Sequence, residues 1–381
     1  MSEALLDGLT VLDMSQFLSG PFAALRLGDL GARVIKIERP DGGDLCRRLY
    51  LTDTEIGGDS TLFHAINRGK LGFAADFKNP ADVAAVKTLI AKADVVVQNF
   101  RPGVIERLGL DYASAKTINP GIVYASITGY GEDGPWAMLP GQDLLAQART
   151  GIMWLNGDHD QGPVPFGLAI ADLLAGSAIV QGVLAALLRR ARTGEGAHIE
   201  TSLLEALIDF QFEVLTTYMN DGGRTPARSQ FRNAHAYLAA PYGVYQTRDG
   251  WIAIAMTPLD KLAKAIDLPA IAGLPPSAAF KRRDEIKRAI ASHLGDQTTA
   301  SWLARMQPVD IWCAEVLDWP ALFASEAFRR IDMLQTLIGA DRHEIRTTRS
   351  PIRVDGEREH CLSAAPRIGE HTEALRAEMG L

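Results

Sequence analysis

Cysteine is scarce in this 381-residue chain, which contains only Cys46, Cys313 and Cys361. They form no CxxC pair and have no histidine pair nearby, so neither a metal site nor a disulfide framework is expected. Positive charge is also scarce, because 39 Lys and Arg stand against 46 Asp and Glu, for a net charge of −7. Nucleic-acid binding needs a basic face, so we expect no nucleic-acid partner, and the cysteine pattern favours a reducing, cytoplasmic location.

Long apolar runs are limited to one, FGLAIADLLAGSAIVQGVLAALL at residues 166–188. With arginines after it, the run is long enough to cross a membrane. Glycines and polar residues dilute it, however, and Asp172 inside a membrane-spanning helix would cost about 2.5–3.5 kcal/mol. We therefore predict a helix buried in the core of a soluble protein, no membrane partner and no signal peptide.

Glycine-rich cofactor loops are absent as well. The turn after the first predicted strand, SQFLSGP, has one glycine where a dinucleotide fingerprint needs three. Glu38 stands at the end of the second predicted strand, where such folds carry a ribose-binding acid, but without the glycines NAD or FAD is not expected. Walker, HExxH, GxSxG and kinase motifs are also missing from the sequence.

The strands and helices that are present alternate. Beta-rich runs at 9–14 and 33–38 enclose a helix that begins at Pro21 and ends at Gly31, and further strands follow at 71–77, 93–100 and 121–131. This order predicts an α/β fold with a parallel, doubly wound sheet, which binds ligands beyond the carboxyl ends of its strands.

The character of the sequence changes after a polar stretch at 220–233. A hairpin at 241–256 and charged amphipathic helices follow, which predicts a smaller α+β domain. We expect a large domain at 1–219, a small domain at 220–324, and a C-terminal segment at 325–381 that returns to the large domain.

Seven segments carry a family resemblance. In chain order they are SGPFAALRLGDLGARVIKIERPDGGD, NFRPGVIERLGLDY, SITGYGEDGP, PGQDLLAQARTG, PVPFGLAIADLLAG, RTGEGAHIETSLLEA and APRIGEHT. They resemble signature segments of the class III coenzyme A transferases, the CaiB/BaiF family, and span nearly the whole chain. The resemblance implies a Rossmann-like large domain, a smaller α+β domain and two chains interlocked as a homodimer. It also implies acyl-CoA and a carboxylic acid as substrates, with no tightly bound cofactor.

The same resemblance implies that Asp172 is the catalytic aspartate. Helical spacing surrounds Asp172 with small and aliphatic residues and no basic partner, so a carboxylate there is costly unless it is used. Two structural alternatives remain, in which Asp172 caps the helix or accepts hydrogen bonds from a turn. Gly176, one turn on, is expected to leave room for a thioester. A carboxylate suits the chemistry because a mixed anhydride keeps the acyl group activated.

Residues at successive strand ends are implied to bind coenzyme A. Arg39 would contact the adenosine phosphates, Arg107 would pair with phosphate oxygens, and Asn99 would hydrogen-bond the ligand. Each arginine taken singly is also typical of a solvated surface charge. The remaining candidates are Arg101 and Lys70 as supporting cations, and Leu18 and Ala75 at matching ligand-contact positions.

The motif GQD at 141–143 distinguishes activities within the family, which includes α-methylacyl-CoA racemases. Racemases tend to have histidine at the middle position, whereas Gln142 has no useful pKa for proton abstraction. Gln142 would instead hydrogen-bond a substrate carboxylate or the Asp172 adduct, or only bond the backbone at a helix start. Asp143 either caps the helix LLAQA or contacts coenzyme A.

These observations predict a CoA-transferase that acts through an aspartyl anhydride and an aspartyl-CoA thioester on Asp172. The alternatives are a racemase or epimerase with another base, and a CoA-binding protein without turnover. The segment 232–246 has no run of consecutive glycines like the mobile lid of formyl-CoA transferase, which argues against oxalate as acceptor. His235 and Tyr237 in it could reach a partner's site, and His371 is expected to close a turn against the large domain.

Overall fold

The computed structural model describes residues 4–49, 53–340, 342–358, 361 and 363–380. The strands are β1 Thr10–Asp13, β2 Arg33–Glu38, β3 Glu55–Ile56, β4 Asp59–Ser60, β5 Leu71–Ala74, β6 Val95–Gln98, β7 Val123–Thr128, β8 Ala197–Ser202, β9 Gly243–Gln246, β10 Trp251–Ile254, β11 Cys313–Glu315, β12 Leu334–Ile338 and β13 Glu344–Thr348.

The α-helices are α1 Ser19–Gly28, α2 Thr61–Asn67, α3 Pro80–Lys92, α4 Val104–Arg107, α5 Tyr112–Ile118, α6 Asp143–Arg149, α7 Ile170–Thr193, α8 Leu203–Phe210, α9 Phe212–Asn220, α10 Leu259–Ile266, α11 Ala278–Lys281, α12 Arg283–Leu294, α13 Thr299–Met306, α14 Trp319–Ala324, α15 Glu326–Ile331 and α16 Thr372–Met379. Short 3₁₀ turns lie at Leu45–Arg48, Ile152–Trp154, Pro269–Ile271 and Gln307–Val309.

Contacts within the chain group it into two compact units. The first comprises 1–146, 169–210 and 332–381, and the second comprises 147–168 and 211–331. The division into domains at 1–219, 220–324 and 325–381 stays a prediction. Within the first unit, the C-terminal segment returns to β5, where His371 accepts a hydrogen bond from the Gly72 N–H at 3.1 Å and donates its own N–H to the Gly72 carbonyl at 2.9 Å.

The first unit is built on a six-stranded parallel sheet with the order β5-β2-β1-β6-β7-β8. Every neighbouring pair is parallel, as the alternation of strands and helices predicted, and the mixed α/β fold is confirmed. The chain runs outward from β1 through β2 to β5 and then returns to β6 on the other side of β1. Because the strand order reverses between β1 and β6, the crevice for a ligand lies at their carboxyl ends.

The second unit has a three-stranded antiparallel sheet, β11-β10-β9, in which β9 and β10 form the predicted hairpin. Its core is separate, and helices α10, α12 and α13 contribute Leu262, Ile290 and Trp302 to it. Trp302 also donates its indole N–H to the Leu294 carbonyl at 2.8 Å, so the ring is buried without an unpaired donor.

The long apolar segment forms α7, which in the described part of the chain is the one helix long and apolar enough to cross a membrane. A third of its most apolar window, 33%, is buried. The prediction of a core helix is therefore right for one face only, and this face carries Ala171, Ala175, Gly176, Ile179, Val183 and Ala186. A stripe of small residues lets a neighbouring helix approach closely, and α1 packs against it.

Gly176 is the point of closest approach between α1 and α7. A Cβ atom there would lie 2.7 Å from the Ser19 carbonyl oxygen and 2.8 Å from Cδ1 of Phe22. The expectation that Gly176 leaves room for a thioester is therefore wrong, because α1 already fills the space beside it.

Gly176→Ala should destabilise the protein, since overpacking against a backbone carbonyl costs about 1–3 kcal/mol. The matched control is Ser177→Ala at the next, exposed position of α7, which should stay within about 0.5 kcal/mol of wild type. Urea unfolding of the three proteins measures both effects. Equal midpoints for Gly176→Ala and wild type would contradict the close helix contact.

Candidate active site

The switch point between β1 and β6 is bridged by one side chain, Asn99, which directly follows β6. Its Oδ1 accepts the Gln16 N–H at 2.8 Å and its Nδ2 donates to the Gln16 carbonyl at 2.7 Å. Asn99 was expected to hydrogen-bond coenzyme A. Its side-chain amide instead holds the loop after β1, which leads into α1.

The loop itself has an unusual backbone. Phe17 has a φ of 62°, in the left-handed region that non-glycine residues rarely adopt, and its side chain is exposed. The Phe17 N–H donates to Oδ1 of Asp44 at 3.1 Å, which holds the residue in this conformation. Strained backbone that persists through outside contacts is concentrated at functional sites.

A cluster of fully buried charges lies beneath this loop. Lys70 donates to Oδ2 of Asp13 at 2.7 Å, to the Pro21 carbonyl at 2.8 Å and to Oδ1 of Asn67 at 2.8 Å. Lys70 was expected to support phosphate binding, and this expectation is wrong because all three of its contacts lie inside the protein.

Lys36 completes the cluster from β2. Its ammonium group donates to the Ser15 carbonyl at 2.7 Å and lies 2.9 Å from Oδ2 of Asp44 and 3.8 Å from Oδ2 of Asp13. Burial alone would raise the pKa of Asp13, but the charges of Lys36 and Lys70 hold it below its usual value. We call these four residues, Asp13, Lys36, Asp44 and Lys70, the buried ion cluster.

Glu38 does not face a ribose site either. It pairs with Arg47 through two hydrogen bonds of 2.9 and 2.8 Å, and its Oε1 also accepts the Asp44 N–H at 2.9 Å. Glu38 is 4% exposed. It therefore extends the buried ion cluster toward Arg47, and its carboxylate oxygens are buried and already hydrogen-bonded within the protein.

Asp172 lies in the first turn of α7, opposite the start of α1. Burial raises its pKa to about 6, helped by the negative charge of Asp143, while the nearby Ser19 acts in the opposite direction. Asp172 is thus a half-buried carboxylate that stays mostly ionised at neutral pH and is more basic than an ordinary aspartate.

The cap of α7 comes from another segment. Oδ1 of Asp143 accepts the Ala171 N–H at 2.6 Å, and no side chain at the formal N-cap position, Ala169, does so. Asp143 thus caps α7 with one carboxylate oxygen although it is itself the first residue of α6, and its contact with coenzyme A stays a prediction. This arrangement also places its charge beside Asp172.

Gln142 is exposed and precedes α6. Its carbonyl accepts the Ala146 N–H at 2.9 Å, so its backbone starts the helix. The segment is held against the end of β7, because a Cβ at Gly129 would lie 2.6 Å from the Gly141 Cα, and Tyr130 donates its hydroxyl to the Pro140 carbonyl at 3.2 Å. Gln142 therefore stands at the carboxyl end of the sheet.

The other candidate ligand contacts differ in their exposure. The side chains of Arg39, Arg101 and Arg107 are exposed, and Nε of Arg39 donates to the Gly43 carbonyl at 2.9 Å. Leu18 is half-buried against a small cluster around Cys46 and Phe63. Ala75 is buried in the main core, so only its backbone could meet a ligand.

Two residues of the first unit, Ser19 and Lys36, were not singled out from the sequence. Ser19 stands in the motif SGP, where its position at a helix start could have suggested a hydrogen-bond donor. Lys36 interrupts the apolar run VIKIE, which is the usual sign of a buried pair or a function. No group of three or more His, Cys, Asp or Glu side chains in the described ranges could hold a metal ion.

Lys70→Met should destabilise the protein by about 3–5 kcal/mol, because it leaves Asp13 with a single, more distant cation in a buried site. The matched control is Lys78→Met, which removes an exposed lysine and should stay within about 0.5 kcal/mol of wild type. Urea midpoints of the two variants provide the comparison. A Lys70→Met midpoint equal to that of the control would show that the buried ion cluster is not needed for stability.

Comparison with known proteins places this geometry in a family. The chain matches CoA-transferase family III over residues 6–372. It is 34% identical to an acetyl-CoA:oxalate CoA-transferase from Acetobacter aceti and 32% identical to a succinate–glutarate CoA-transferase from Agrobacterium fabrum, covering 98% of this chain and 95% of each relative. A crystal structure of a CaiB/BaiF family protein from Brucella suis superimposes with a TM-score of 0.85 at 33% identity, over 99% of this chain and 100% of the other.

The chain therefore belongs to CoA-transferase family III and is a transferase enzyme. The predicted resemblance is confirmed over nearly the whole chain.

Proposed function

We propose that this enzyme moves coenzyme A from an acyl-CoA thioester to a free carboxylic acid, with Asp172 as the nucleophile. The observation that carries the proposal is a half-buried carboxylate at the open end of a doubly wound sheet, in the first turn of α7 and beside Asp143, which caps the same helix. Burial and the charge of Asp143 raise its pKa to about 6. With such a pKa, about nine tenths of the carboxylate is ionised at pH 7. It is then both available and basic enough to attack.

The proposed sequence has four balanced steps. The Asp172 carboxylate attacks the donor thioester carbonyl and the C–S bond breaks. CoA departs as the thiolate, and a mixed anhydride between Asp172 and the donor acyl group is formed. The thiolate attacks the Asp172 carbonyl carbon and releases the donor acid, which gives an aspartyl-CoA thioester. The acceptor carboxylate then attacks this thioester and expels the thiolate, and a second anhydride forms. Attack of the thiolate on the acceptor carbonyl yields the new acyl-CoA and restores Asp172.

Short dicarboxylic acids are the substrate class we propose. The two relatives compared above are named for acetyl-CoA and oxalate and for succinate and glutarate. A third relative, 31% identical over 99% of this chain, is a succinyl-CoA:mesaconate CoA-transferase from Haloarcula hispanica. All of these names contain at least one dicarboxylic acid or its thioester, which supports the same class for this chain.

Coenzyme A contacts are proposed for the exposed guanidinium groups of Arg39, Arg101 and Arg107, which suit phosphate oxygens. The half-buried Leu18 and the backbone near Ala75 and Asn99 would border the ligand. Gln142 would hydrogen-bond a substrate carboxylate or the adduct. Its amide does not titrate, which argues against a two-base racemase at this position.

A homodimer in the cytoplasm is also proposed. Large apolar side chains are exposed in each unit, including Leu188 at 66% in the first and Phe212 and Met219 at 69% and 70% in the second. Phe212 and Met219 lie seven residues apart and so share one face of α9, and an exposed apolar face is typical of an interface. The three cysteines are free, which suits a reducing compartment.

Asp172→Ala should lower CoA transfer by at least about a thousandfold, since the nucleophile is removed. Wild type incubated with succinyl-CoA and hydroxylamine should yield a hydroxamate on the peptide that contains Asp172, detected by mass spectrometry. Asp296→Asn, an exposed aspartate of the second unit, is the control and should retain activity. Transfer by Asp172→Ala would refute the assignment, and exchange of the α-proton without any adduct would favour the racemase.

The first half-reaction should lose about tenfold in kcat/KM for each pH unit below pH 6. Burial and Asp143 raise the pKa of Asp172 to about 6, so the reactive anion is lost as the pH falls through that value. The rate of adduct formation should be measured with succinyl-CoA alone, because no acceptor acid is then present whose carboxyl could titrate and change the pH profile. An acid limb near the ordinary aspartate value, about 3.9, would contradict the environment described for Asp172.

A further inference from the structure

Three polar side chains, which we call the polar row, cross the parallel sheet toward its carboxyl end. Gln98 is the last residue of β6, Ser126 is its register partner on β7, and His198 on β8 lies diagonally opposite Ser126 on the same face. Gln98 and Ser126 are 4% and 2% exposed. Inner strands of a parallel sheet are usually apolar, because a buried polar group is costly unless it is hydrogen-bonded. The polar row therefore calls for an account of every donor and acceptor in it.

The direction of each hydrogen bond in the polar row follows from one backbone donor. The Phe100 N–H donates to Oε1 of Gln98 at 2.8 Å, so the Gln98 amide nitrogen points the other way and donates to the Ser126 Oγ at 3.0 Å. In the described part of the chain, the only other hydrogen-bond partner of this oxygen is Nε2 of His198, at 2.9 Å. The Ser126 hydroxyl therefore donates to Nε2, and that nitrogen carries no proton.

His198 is consequently a neutral imidazole with its proton on Nδ1, and this nitrogen lies 3.3 Å from the acceptor Oε2 of Glu200. Tyr112 of α5 stacks on the ring with the centroids 4.7 Å apart, and Tyr124 of β7 meets it edge-on at 5.7 Å. Glu200 and Lys116 are the charged residues on β7, β8 and α5, and Lys116 lies 5.8 Å from the centre of the Tyr112 ring. Burial lowers the pKa of His198 and Glu200 opposes this shift, which agrees with a neutral ring.

The other end of the polar row holds the turn that follows β6. Gln98 fixes the N–H of Phe100, and Asn99, between them, binds both the N–H and the carbonyl of Gln16 in the loop after β1. Arg101 follows with an exposed side chain. Asn99 and Arg101 are both proposed to border or bind coenzyme A, so the polar row ends at the proposed ligand.

We propose that His198 is a positioning residue for coenzyme A, whose unprotonated Nε2 keeps the Ser126 hydroxyl and the Gln98 amide in one orientation and so holds the turn at 99–101. A protonated ring would direct a second N–H donor at the Ser126 oxygen and leave the hydroxyl proton without an acceptor. The inference rests on the proposed function, because it assigns a role toward the coenzyme A of that site. It concerns a residue outside the candidate site assembled from the sequence.

Two substitutions at His198 separate its role as an acceptor from its charge. His198→Gln retains an oxygen that can accept from Ser126 and does not titrate, so at neutral pH it should bind coenzyme A within about twofold of wild type. His198→Leu removes the acceptor and should weaken binding about tenfold, the usual effect of losing one buried hydrogen bond. Isothermal titration calorimetry with free coenzyme A measures both dissociation constants.

The pH profile of binding distinguishes positioning from a general loss of stability. As the pH falls below the ordinary histidine value of about 6.5, wild type should lose affinity relative to His198→Gln, since only wild type gains the second donor. The ratio of the two dissociation constants cancels the titration of the coenzyme A phosphates, which both proteins share.

Substitutions at Ser126 test the middle of the polar row. Ser126→Ala should weaken binding about tenfold, and Ser126→Thr, which keeps the hydroxyl, should restore it. The matched control is Ser301→Ala, which breaks a serine–glutamine hydrogen bond of 2.6 Å in the second unit and should bind coenzyme A as wild type does.

Selective ¹⁵N labelling of histidine reads the tautomer of His198 without any ligand, and the signals are assigned by their absence from His198→Gln. At neutral pH, Nε2 should have the chemical shift of an unprotonated nitrogen and Nδ1 that of a protonated one. A protonated Nε2, or an affinity ratio between wild type and His198→Gln that is constant over the pH range, would overturn the proposal. If wild type binds neither coenzyme A nor succinyl-CoA, the proposed function fails instead, and the spectra still decide the orientation of the polar row.

Discussion

The buried ion cluster is the interaction on which the rest of the site depends. Two lysines and two aspartates, all almost inaccessible to water, join β1, β2 and the residue before β5 at the switch point of the sheet. Isolated charges could not be buried there, but each ammonium group faces a carboxylate and at least one carbonyl oxygen. Through Ser15 and Pro21 the cluster fixes both ends of the loop that leads into α1.

The fixed loop after β1 determines where α1 begins, opposite Asp172. Phe17 keeps its left-handed backbone because Asp44, held by Lys36, accepts its N–H, and Ser19 follows two residues later at the start of α1. The start of α1, which lies opposite Asp172, is therefore held by ion pairs on the far side of the loop. Backbone that is held in this way loses little free energy to reorganisation when charge moves nearby.

The sequence allowed us to predict those features of the fold and the site that depend on periodic or local patterns. The alternation of strands and helices predicted the parallel sheet, and the isolated carboxylate in an apolar run pointed to Asp172. It did not predict β8, whose residues AHIETS mix polar and apolar types because the strand lies at the sheet edge and is only partly buried. It also misplaced Lys70 and did not predict that Glu38 pairs with Arg47 or that Asp143 caps α7, since these contacts join residues that are not neighbours in the sequence.

Two carboxylates share the N-terminal end of α7, and they use it differently. Asp143 takes the free N–H of Ala171, the group that would otherwise solvate an anion in the first turn. Asp172, buried beside that charge, has a raised pKa and remains basic. In the mechanism that we propose, conversion of Asp172 to an anhydride or thioester would remove one of the two neighbouring negative charges and so relieve the repulsion from Asp143. The cap that stabilises the helix would thereby also favour acylation of its neighbour over the resting carboxylate.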